Sequence, residues 1–171
     1  FAVMMSSSPS LFQSTAATAF GERRVVVDGF TADPGTVTSR EDFRGTGGSL
    51  YFLKRQDLLI EAARLLSTNT KILIGGEGPQ RERYERLIER YALGDRVRLI
   101  GAFTDAERLA LYEHALAVAF PAFDEDLGYV PLEAMYAGKA VVTCSDSGGP
   151  LEFVVHGETG EIAVPEPAQL A

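Results

Sequence analysis

The chain has 171 residues, of which 46% are hydrophobic, so it is long enough for one domain with a substantial core and too short for two large ones. Its net charge of −8 argues against a general nucleic-acid-binding protein, because such proteins normally present a basic face. A single cysteine, Cys144, excludes an internal disulfide, and neither a membrane-length apolar run nor a signal peptide is present, so a soluble cytoplasmic protein is predicted.

The first half of the chain becomes more regular from left to right. Its first fifty residues are rich in Ser, Thr, Gly and Pro and contain one convincing short strand, "RRVVVDGF". After Lys54, "QDLLIEAARLL" has the apolar spacing of an amphipathic helix. "KILIGG" is then a short buried strand, a polar helix follows from about Pro79 to Tyr91, and "RVRLIGAF" is the next strand. Thr104 and Glu107 have the spacing of a capping box, which marks the start of the helix "DAERLALYEHA".

The second half continues the same alternation of strands and helices. "LAVAF" is a strand, a short helix runs from Pro131 to Ala137, and "AVVTC" and "GEIAVP" are further strands. Such alternation with short connections predicts an α/β domain with a Rossmann-like parallel sheet flanked by helices. Ligands of such sheets bind beyond the carboxyl ends of the strands, which here are followed by the loops "GGEGPQ", "GAFTDAE" and "PAFDEDLGYVP".

The third of these loops has the features of an anion site. Pro131 suits the first turn of a helix, so the backbone amides of Gly128, Tyr129 and Val130 lie close to a helix N-terminus. Such amides point outward and carry the positive end of the helix dipole, which favours a phosphate. Gly128 also lets the backbone approach a ligand closely.

Two glutamates, Glu125 and Glu133, flank this loop and are eight positions apart. Carboxylates beside an anion site suit a ligand that combines phosphate with sugar hydroxyls, since each hydroxyl donates a hydrogen bond. The spacing alone is equally consistent with a structural role, because the helix dipole favours a glutamate in the first turn without any ligand.

The segment "EDLGYVPLEAMYAGKAVVTCSDSGGPLEFVVHGETGEIAVP" resembles the signature region of retaining, nucleotide-sugar-dependent glycosyltransferases of family 4, which have the two-domain GT-B fold. The family pattern is Glu, seven residues, Glu, an Ala-rich helix, Gly, a Val-Val strand and Gly-Gly-x-x-Glu, and its spacing is kept throughout. Upstream, "GGEGP", "VRLIGAFTDAERLALYEHA" and "KRQDLLIEAARLL" resemble further family motifs. The resemblance extends from about Lys54 to Pro165 and implies that the chain is the C-terminal, donor-binding half of such an enzyme.

The resemblance implies a role for each matching position. Glu133 matches the glutamate that binds the ribose, Glu125 the catalytic residue that contacts the donor sugar near the reacting carbon, and Lys54 the cation on the diphosphate. The strand end from Ile100 to Phe103 matches the place where such enzymes hold the base. The other donor-binding positions are Gly76, Glu77, Gly78, Phe103, Gly128, Tyr129 and Val130. No metal and no cofactor besides the nucleotide-sugar substrate are implied, and the sequence has no Cys/His/Asp cluster at ligand spacing.

The chain also departs from the family pattern. About five residues before the lysine the family has a Gly-Arg pair, but this chain has Gly48 and Ser49, so the phosphate-binding arginine is missing there. Arg44 or Arg55 could replace it, although the plain interpretation of Arg55 is a solvated residue at a helix start. We therefore predict that residues 1–48 are an irregular interdomain-crossover segment with a remodelled or missing first strand. Residues 49–171 are predicted to be the donor-binding domain, incomplete at its C-terminus.

The favoured function is donor binding in a hexosyltransferase-type enzyme that moves a sugar from a nucleoside diphosphate to an unknown acceptor. We expect an N-terminal acceptor-binding domain as partner, a peripheral membrane contact made through that half, and no transfer by this chain alone. Two alternatives stay open: a non-catalytic nucleotide-binding or regulatory module, favoured by the missing arginine, and a nucleotide-sugar epimerase or hydrolase of the same architecture. The Gly-Gly-x-x-Glu run favours the transferase over the epimerase.

Overall fold

A six-stranded parallel sheet organises the fold. The computed structural model describes residues 24–27 and 50–171. The strands are β1 (Arg24–Val27), β2 (Lys71–Gly75), β3 (Val97–Gly101), β4 (Ala117–Phe120), β5 (Ala140–Cys144) and β6 (Gly160–Ala163). Their order across the sheet is β3-β2-β1-β4-β5-β6, and every neighbouring pair is parallel. This is the strand order of the Rossmann-type doubly wound sheet, so the predicted fold class is confirmed.

Among the described residues, four α-helices connect these strands. They are α1 (Gln56–Ala63), α2 (Arg81–Arg90), α3 (Asp105–Glu113) and α4 (Tyr129–Tyr136). The predicted capping box at the start of α3 is confirmed, because the Thr104 hydroxyl accepts from the Glu107 amide and the Glu107 carboxylate accepts from the Thr104 amide. Helix α4 begins two residues before the predicted Pro131, since Gly128, at φ 76°, serves as its N-cap. Within the described ranges, no helix has the length and hydrophobicity needed to cross a membrane.

The core lies on both faces of the sheet. Along β4, Val118 and Phe120 belong to one apolar cluster while Ala119 belongs to the other, as the alternation of side chains along a strand requires. Residues of α1 and α2 cover the Ala119 face, and residues of α3 and α4 cover the opposite face. The helices therefore flank the sheet from both sides and leave the carboxyl ends of the strands for the connecting loops.

The structure corrects the prediction for residues 1–48. The predicted short strand in "RRVVVDGF" is confirmed, whereas the expectation that the first strand of the domain is remodelled or missing is wrong, because Arg24–Val27 is that strand. These residues form β1 at the centre of the sheet, where Val25 is in register with Ile72 on one side and Ala117 on the other. Consecutive valines favour a strand. The position of this strand in the sheet was not predictable, because a long Ser/Thr/Gly/Pro-rich stretch separates it from α1. The rest of residues 1–48 lies outside the described part of the chain.

Candidate functional site

The candidate site lies at the carboxyl end of the sheet, where β1 and β4 are neighbours. The chain continues from β1 to the β2 side of the sheet and from β4 to the β5 side, so this is the topological switch point. A 3₁₀ turn at Phe52–Lys54 leads into α1, and residues 121–128 lead from β4 into α4. These two connections contact each other directly, because the Phe123 amide donates to the Leu53 carbonyl at 2.8 Å.

An ion pair between Lys54 and Glu125 spans this switch point. Lys54 Nζ donates to Glu125 Oε2 at 2.5 Å, and the two side chains are 13% and 24% exposed. The ammonium also lies 5.3 Å from the centroid of the Phe120 ring. The structure thus brings together two residues that are 71 positions apart in the sequence and were both predicted to contact the donor. It places a cation and a carboxylate side by side in a partly buried crevice.

The turn after β5 fixes the backbone of Glu125. The Glu125 amide donates to the Ser147 carbonyl at 2.9 Å, and the Gly149 amide donates to the Glu125 carbonyl at 2.7 Å. Gly148 has φ 76°, and a Cβ built there would lie 2.6 Å from the Glu125 carbonyl oxygen. A Cβ on Gly149 would lie 2.0 Å from the Asp126 carbonyl oxygen. The Gly-Gly of the sequence motif is therefore required by the close approach of this loop.

The start of α4 lies next to Glu125. A Cβ on Gly128 would be 3.1 Å from both Phe120 and Pro150 and 3.5 Å from Glu125 Cγ. Val130 is buried, whereas the Tyr129 side chain is 68% exposed. The first-turn amides of an α-helix have no partner within the helix, so those of Tyr129 and Val130 are suited to an anion at the carboxyl edge of the sheet. The structure is consistent with a backbone role for Gly128, Tyr129 and Val130, which stays a prediction.

Glu133 is held one turn further along α4. Arg108 Nη1 lies 3.4 Å from Glu133 Oε2 and Arg108 Nη2 lies 2.7 Å from Asp105 Oδ1. Within the described residues, Glu133 Oε2 is buried without a hydrogen bond. Burial raises the pKa of Glu133, an effect that the charge of Arg108 opposes. A buried acceptor without a donor is a group that a ligand hydroxyl could satisfy.

The predicted residues after β2 and β3 lie together on the other side of the switch point. The Gly76 amide donates to the Gly101 carbonyl at 2.8 Å, and the Phe103 ring packs so closely on Gly75 that a Cβ there would lie 2.0 Å from it. The Glu77 side chain is 52% exposed and pairs with Arg81 at 2.8 Å. Gly78 packs against Leu50, whose backbone a Cβ would approach to 2.8 Å. These residues lie at the same carboxyl edge of the sheet as Glu125, at the ends of β2 and β3.

Arg55 differs from both of its sequence interpretations. Its side chain is 17% exposed and donates to both carboxylate oxygens of Asp146, at 2.6 and 2.8 Å. It also donates to the carbonyls of Pro121 and Ala122, at 2.8 and 3.2 Å. The interpretation as a solvated helix-start residue is therefore wrong. The structure also does not support Arg55 as a replacement for the missing phosphate-binding arginine, because these hydrogen bonds occupy its guanidinium. Arg44 lies outside the described residues.

Asp146 is the site residue that sequence reasoning missed. It belongs to no motif, and only the fold brings it to Arg55 across 91 positions. The hydrogen bonds from Arg55 hold the pKa of Asp146 below its ordinary value. Cys144, two residues earlier, is buried, which raises the pKa of its thiol to about 11.

Comparisons with known proteins identify the family of the chain. A family model described as "Glycosyl transferases group 1" matches residues 40–171. Human alpha-1,3/1,6-mannosyltransferase ALG2 is 32% identical over 87 residues, which are 51% of this chain and 21% of the human protein. Glycogen synthase of Mycobacterium tuberculosis is 34% identical over 111 residues, which are 64% of this chain and 27% of that protein.

Solved structures show the same arrangement of elements. The crystal structure of Anabaena Alr3699/HepE in complex with UDP-glucose superposes with a TM-score of 0.72 at 25% identity, over 92% of this chain and 39% of the Anabaena chain. Sucrose-phosphate synthase from Thermosynechococcus elongatus superposes with a TM-score of 0.67 at 28% identity, over 87% of this chain and 34% of that chain. The chain thus spans less than half the length of each of these proteins.

Proposed function

Because the chain belongs to the glycosyl transferases group 1 family and has a GT-B-type fold, we propose that it is the donor-binding domain of a retaining enzyme that transfers a sugar from a nucleoside diphosphate. The observation that carries the proposal is the Lys54–Glu125 pair beside the N-terminus of α4, at the switch point of the sheet. A cation, helix amides and a carboxylate in one crevice fit a ligand in which a diphosphate joins a nucleoside to a sugar. The solved Anabaena relative holds such a ligand, UDP-glucose.

Each group then has a separate task in the transfer. The bond between the anomeric carbon and the diphosphate oxygen breaks, and the leaving diphosphate gains negative charge beside Lys54 and the first-turn amides of α4. Positive charge develops on the carbon beside Glu125, which makes Glu125 the catalytic residue. The acceptor hydroxyl oxygen forms the new bond to this carbon, and its proton passes to the oxygen of the leaving diphosphate. Glu133, whose buried oxygen lacks a donor among the described residues, accepts a hydrogen bond from the ribose.

The base lies on the β2–β3 side of the crevice. Gly76, Glu77 and Gly78 form the loop there, and Phe103 supplies an aromatic ring at the end of β3. The remaining parts of the proposal are an N-terminal acceptor-binding domain as partner, a cytoplasmic location, a peripheral membrane contact made by the acceptor half, and no metal in the chemistry. The location rests on the single cysteine, and the other parts rest on the family resemblance.

A second candidate is a nucleotide-binding module without catalysis. Its support is that the hydrogen bonds of Arg55 are taken up by Asp146 and two carbonyls, so Arg55 does not replace the arginine that is missing before Lys54. A module of this kind would bind nucleotides and leave the sugar bond of the donor intact. An epimerase of the same architecture would instead change the stereochemistry of the donor sugar.

A thermal-shift screen tests donor binding. A ligand that binds only the native state raises the melting temperature by mass action, so UDP, GDP and ADP and their sugars are compared with inorganic phosphate, with and without EDTA. We expect at least one nucleotide family to raise the melting temperature, to do so equally in EDTA, and to lose most of its effect in Lys54→Ala. The matched control is Lys139→Ala, since Lys139 Nζ binds the Glu113 carbonyl away from the site. Shifts as large in Lys54→Ala as in Lys139→Ala would contradict the site.

A further inference from the structure

The Arg55 guanidinium joins three segments of the site. It follows Lys54 directly in the chain, it binds the carbonyls of Pro121 and Ala122 after β4, and it binds the Asp146 carboxylate after β5. We propose that Arg55 is a positioning residue that presets the geometry of the Lys54–Glu125 pair before a donor binds. The inference rests on the proposed function, since it assigns that geometry to donor recognition.

The same network reaches Glu125 through the backbone. The Asp146 carbonyl accepts from the Asp124 amide at 3.0 Å, and the next carbonyl, that of Ser147, accepts from the Glu125 amide at 2.9 Å. The Asp146 side chain thus holds the Lys54 side of the site through Arg55, while its backbone holds the Glu125 side. The Phe123 ring, 5.5 Å from the guanidinium, packs beside this connection.

Backbone strain accompanies this network. Within the described residues, three non-glycine positions have positive φ, and two of them are Arg55, at 49°, and Asp124, at 46°. Left-handed backbone is costly for residues with a Cβ, and such strain persists only where the surroundings hold it. Both strained residues are held by Asp146, and each is next to one member of the Lys54–Glu125 pair. The strain therefore lies directly beside the two residues, Lys54 and Glu125, whose spacing the donor must match.

A positioning role predicts more than a loss of stability. If Arg55 only stabilised the fold, its removal would lower protection from unfolding throughout the sheet and would leave the contribution of Glu125 to binding unchanged. If Arg55 presets the pair, its removal loosens residues 123–128 selectively, and the contribution of Glu125 to sugar binding falls with it.

Amide hydrogen exchange of the ligand-free chain is the first test. Arg55→Gly keeps the left-handed backbone without strain and removes only the side chain. We expect the amides of Glu125 and Gly149 to exchange about tenfold faster, while those of β2 keep their wild-type rates. Unchanged rates at Glu125 and Gly149, or an equal acceleration throughout the sheet, would overturn the proposal.

Asp146→Asn repeats this test with the arginine in place, and decides the matter if Arg55→Gly does not fold. Its matched control is Asp57→Asn, which removes the charge of the 2.8 Å partner of Arg83 between α1 and α2. Selective loosening in Asp146→Asn and none in Asp57→Asn supports the positioning role. The same local rates in both variants would exclude it.

A double-mutant cycle with UDP-glucose is the second test. We expect Glu125→Ala to weaken UDP-glucose binding about tenfold in the wild-type background and less than about threefold in Arg55→Gly, because the two residues act together. An equal loss in both backgrounds would show that Arg55 does not position Glu125. Failure of the wild-type chain to bind any nucleotide sugar would refute the proposed function instead, and the exchange rates would still decide whether Arg55 orders the loop.

Discussion

At the scale of single residues, the two site glutamates differ in what holds them. Glu125 pairs with Lys54 at 2.5 Å, whereas Glu133 Oε2 is buried near Arg108 without a hydrogen bond from a described residue. A ligand that reached Glu133 would supply the hydrogen bond that Oε2 lacks, in addition to the ion pair with Arg108. A ligand that reached Glu125 would have to compete with Lys54. Their substitutions should therefore have different effects on binding.

We expect Glu133→Ala to weaken both UDP and UDP-glucose by about 1.5–3 kcal/mol, the value of a hydrogen bond to a charged group. Glu125→Ala should weaken UDP-glucose by a similar amount and leave UDP unchanged or slightly tighter, because Lys54 is then released to the diphosphate. Calorimetric titration of both variants with both ligands measures this, with Glu82→Ala, an exposed partner of Arg86, as the control. Equal effects of Glu125→Ala on the two ligands would remove its assignment to the sugar.

The charge of Asp146 should appear in the pH dependence of stability. Its pKa is lowered in the folded chain, first through the hydrogen bonds from Arg55, so the unfolded state binds more protons at acidic pH. The stability that this pair contributes is complete above the ordinary pKa of 3.8 and is lost as the pH falls through the lower folded value. Denaturant unfolding should show a smaller acid-induced loss below about pH 4 in Asp146→Asn than in the wild type. The same pH dependence of the free energy of unfolding in both proteins would contradict the lowered pKa of Asp146.

At the scale of elements, the turn after β5 supports the loop after β4. Gly148 and Gly157 offer a matched pair, since both have positive φ, at 76° and 78°, but a Cβ on Gly148 meets the Glu125 backbone and a Cβ on Gly157 meets nothing within 4 Å. Gly157→Ala carries the cost of a left-handed alanine alone, about 1–2 kcal/mol. Gly148→Ala carries at least this cost, because its backbone at φ 76° and ψ −129° lies outside the left-handed helical region, and the added Cβ also displaces the Glu125 loop.

We therefore expect Gly148→Ala to lower the free energy of unfolding by about 1–3 kcal/mol more than Gly157→Ala does, the range for a backbone forced out of its native position. It should also weaken UDP-glucose binding, which Gly157→Ala leaves intact. Denaturant unfolding and calorimetry of the two variants measure both effects. If both variants lost the same free energy of unfolding and the same affinity, the Glu125 loop would be able to move away from a Cβ on Gly148 without any cost.

Across the whole molecule, local patterns in the sequence predict helices and strands better than they predict contacts between residues that are far apart in the chain. The capping box at Thr104 and the strands of the second half were predictable because their signals lie within a few residues. The central place of β1 was not, because it depends on pairing with β2 and β4 across a long polar stretch. The Arg55–Asp146 contact was not either, since 91 positions separate the two residues and no motif marks the aspartate.

The exposure of the site bears on what the chain can do alone. Around the crevice, Tyr129 is 68% exposed and Phe123 is 46% exposed, so the described part of the chain would leave the reacting end of the proposed donor in contact with water. Sugar transfer needs water to be kept from the reacting carbon, and in enzymes of several parts this is done by closure over the bound substrate. This chain by itself should therefore bind a nucleotide sugar without transferring the sugar.

We expect the chain to bind UDP-glucose, or the nucleotide sugar that the thermal screen selects, and to transfer no sugar by itself. The measurement is the release of UDP from that donor in the presence of simple sugar acceptors, followed over hours, together with a calorimetric titration of the same sample. The Lys54→Ala variant is the control, because any residual release that survives this change does not come from the site. Release of UDP that depends on both the acceptor and Lys54 would show that this chain holds the complete machinery for transfer.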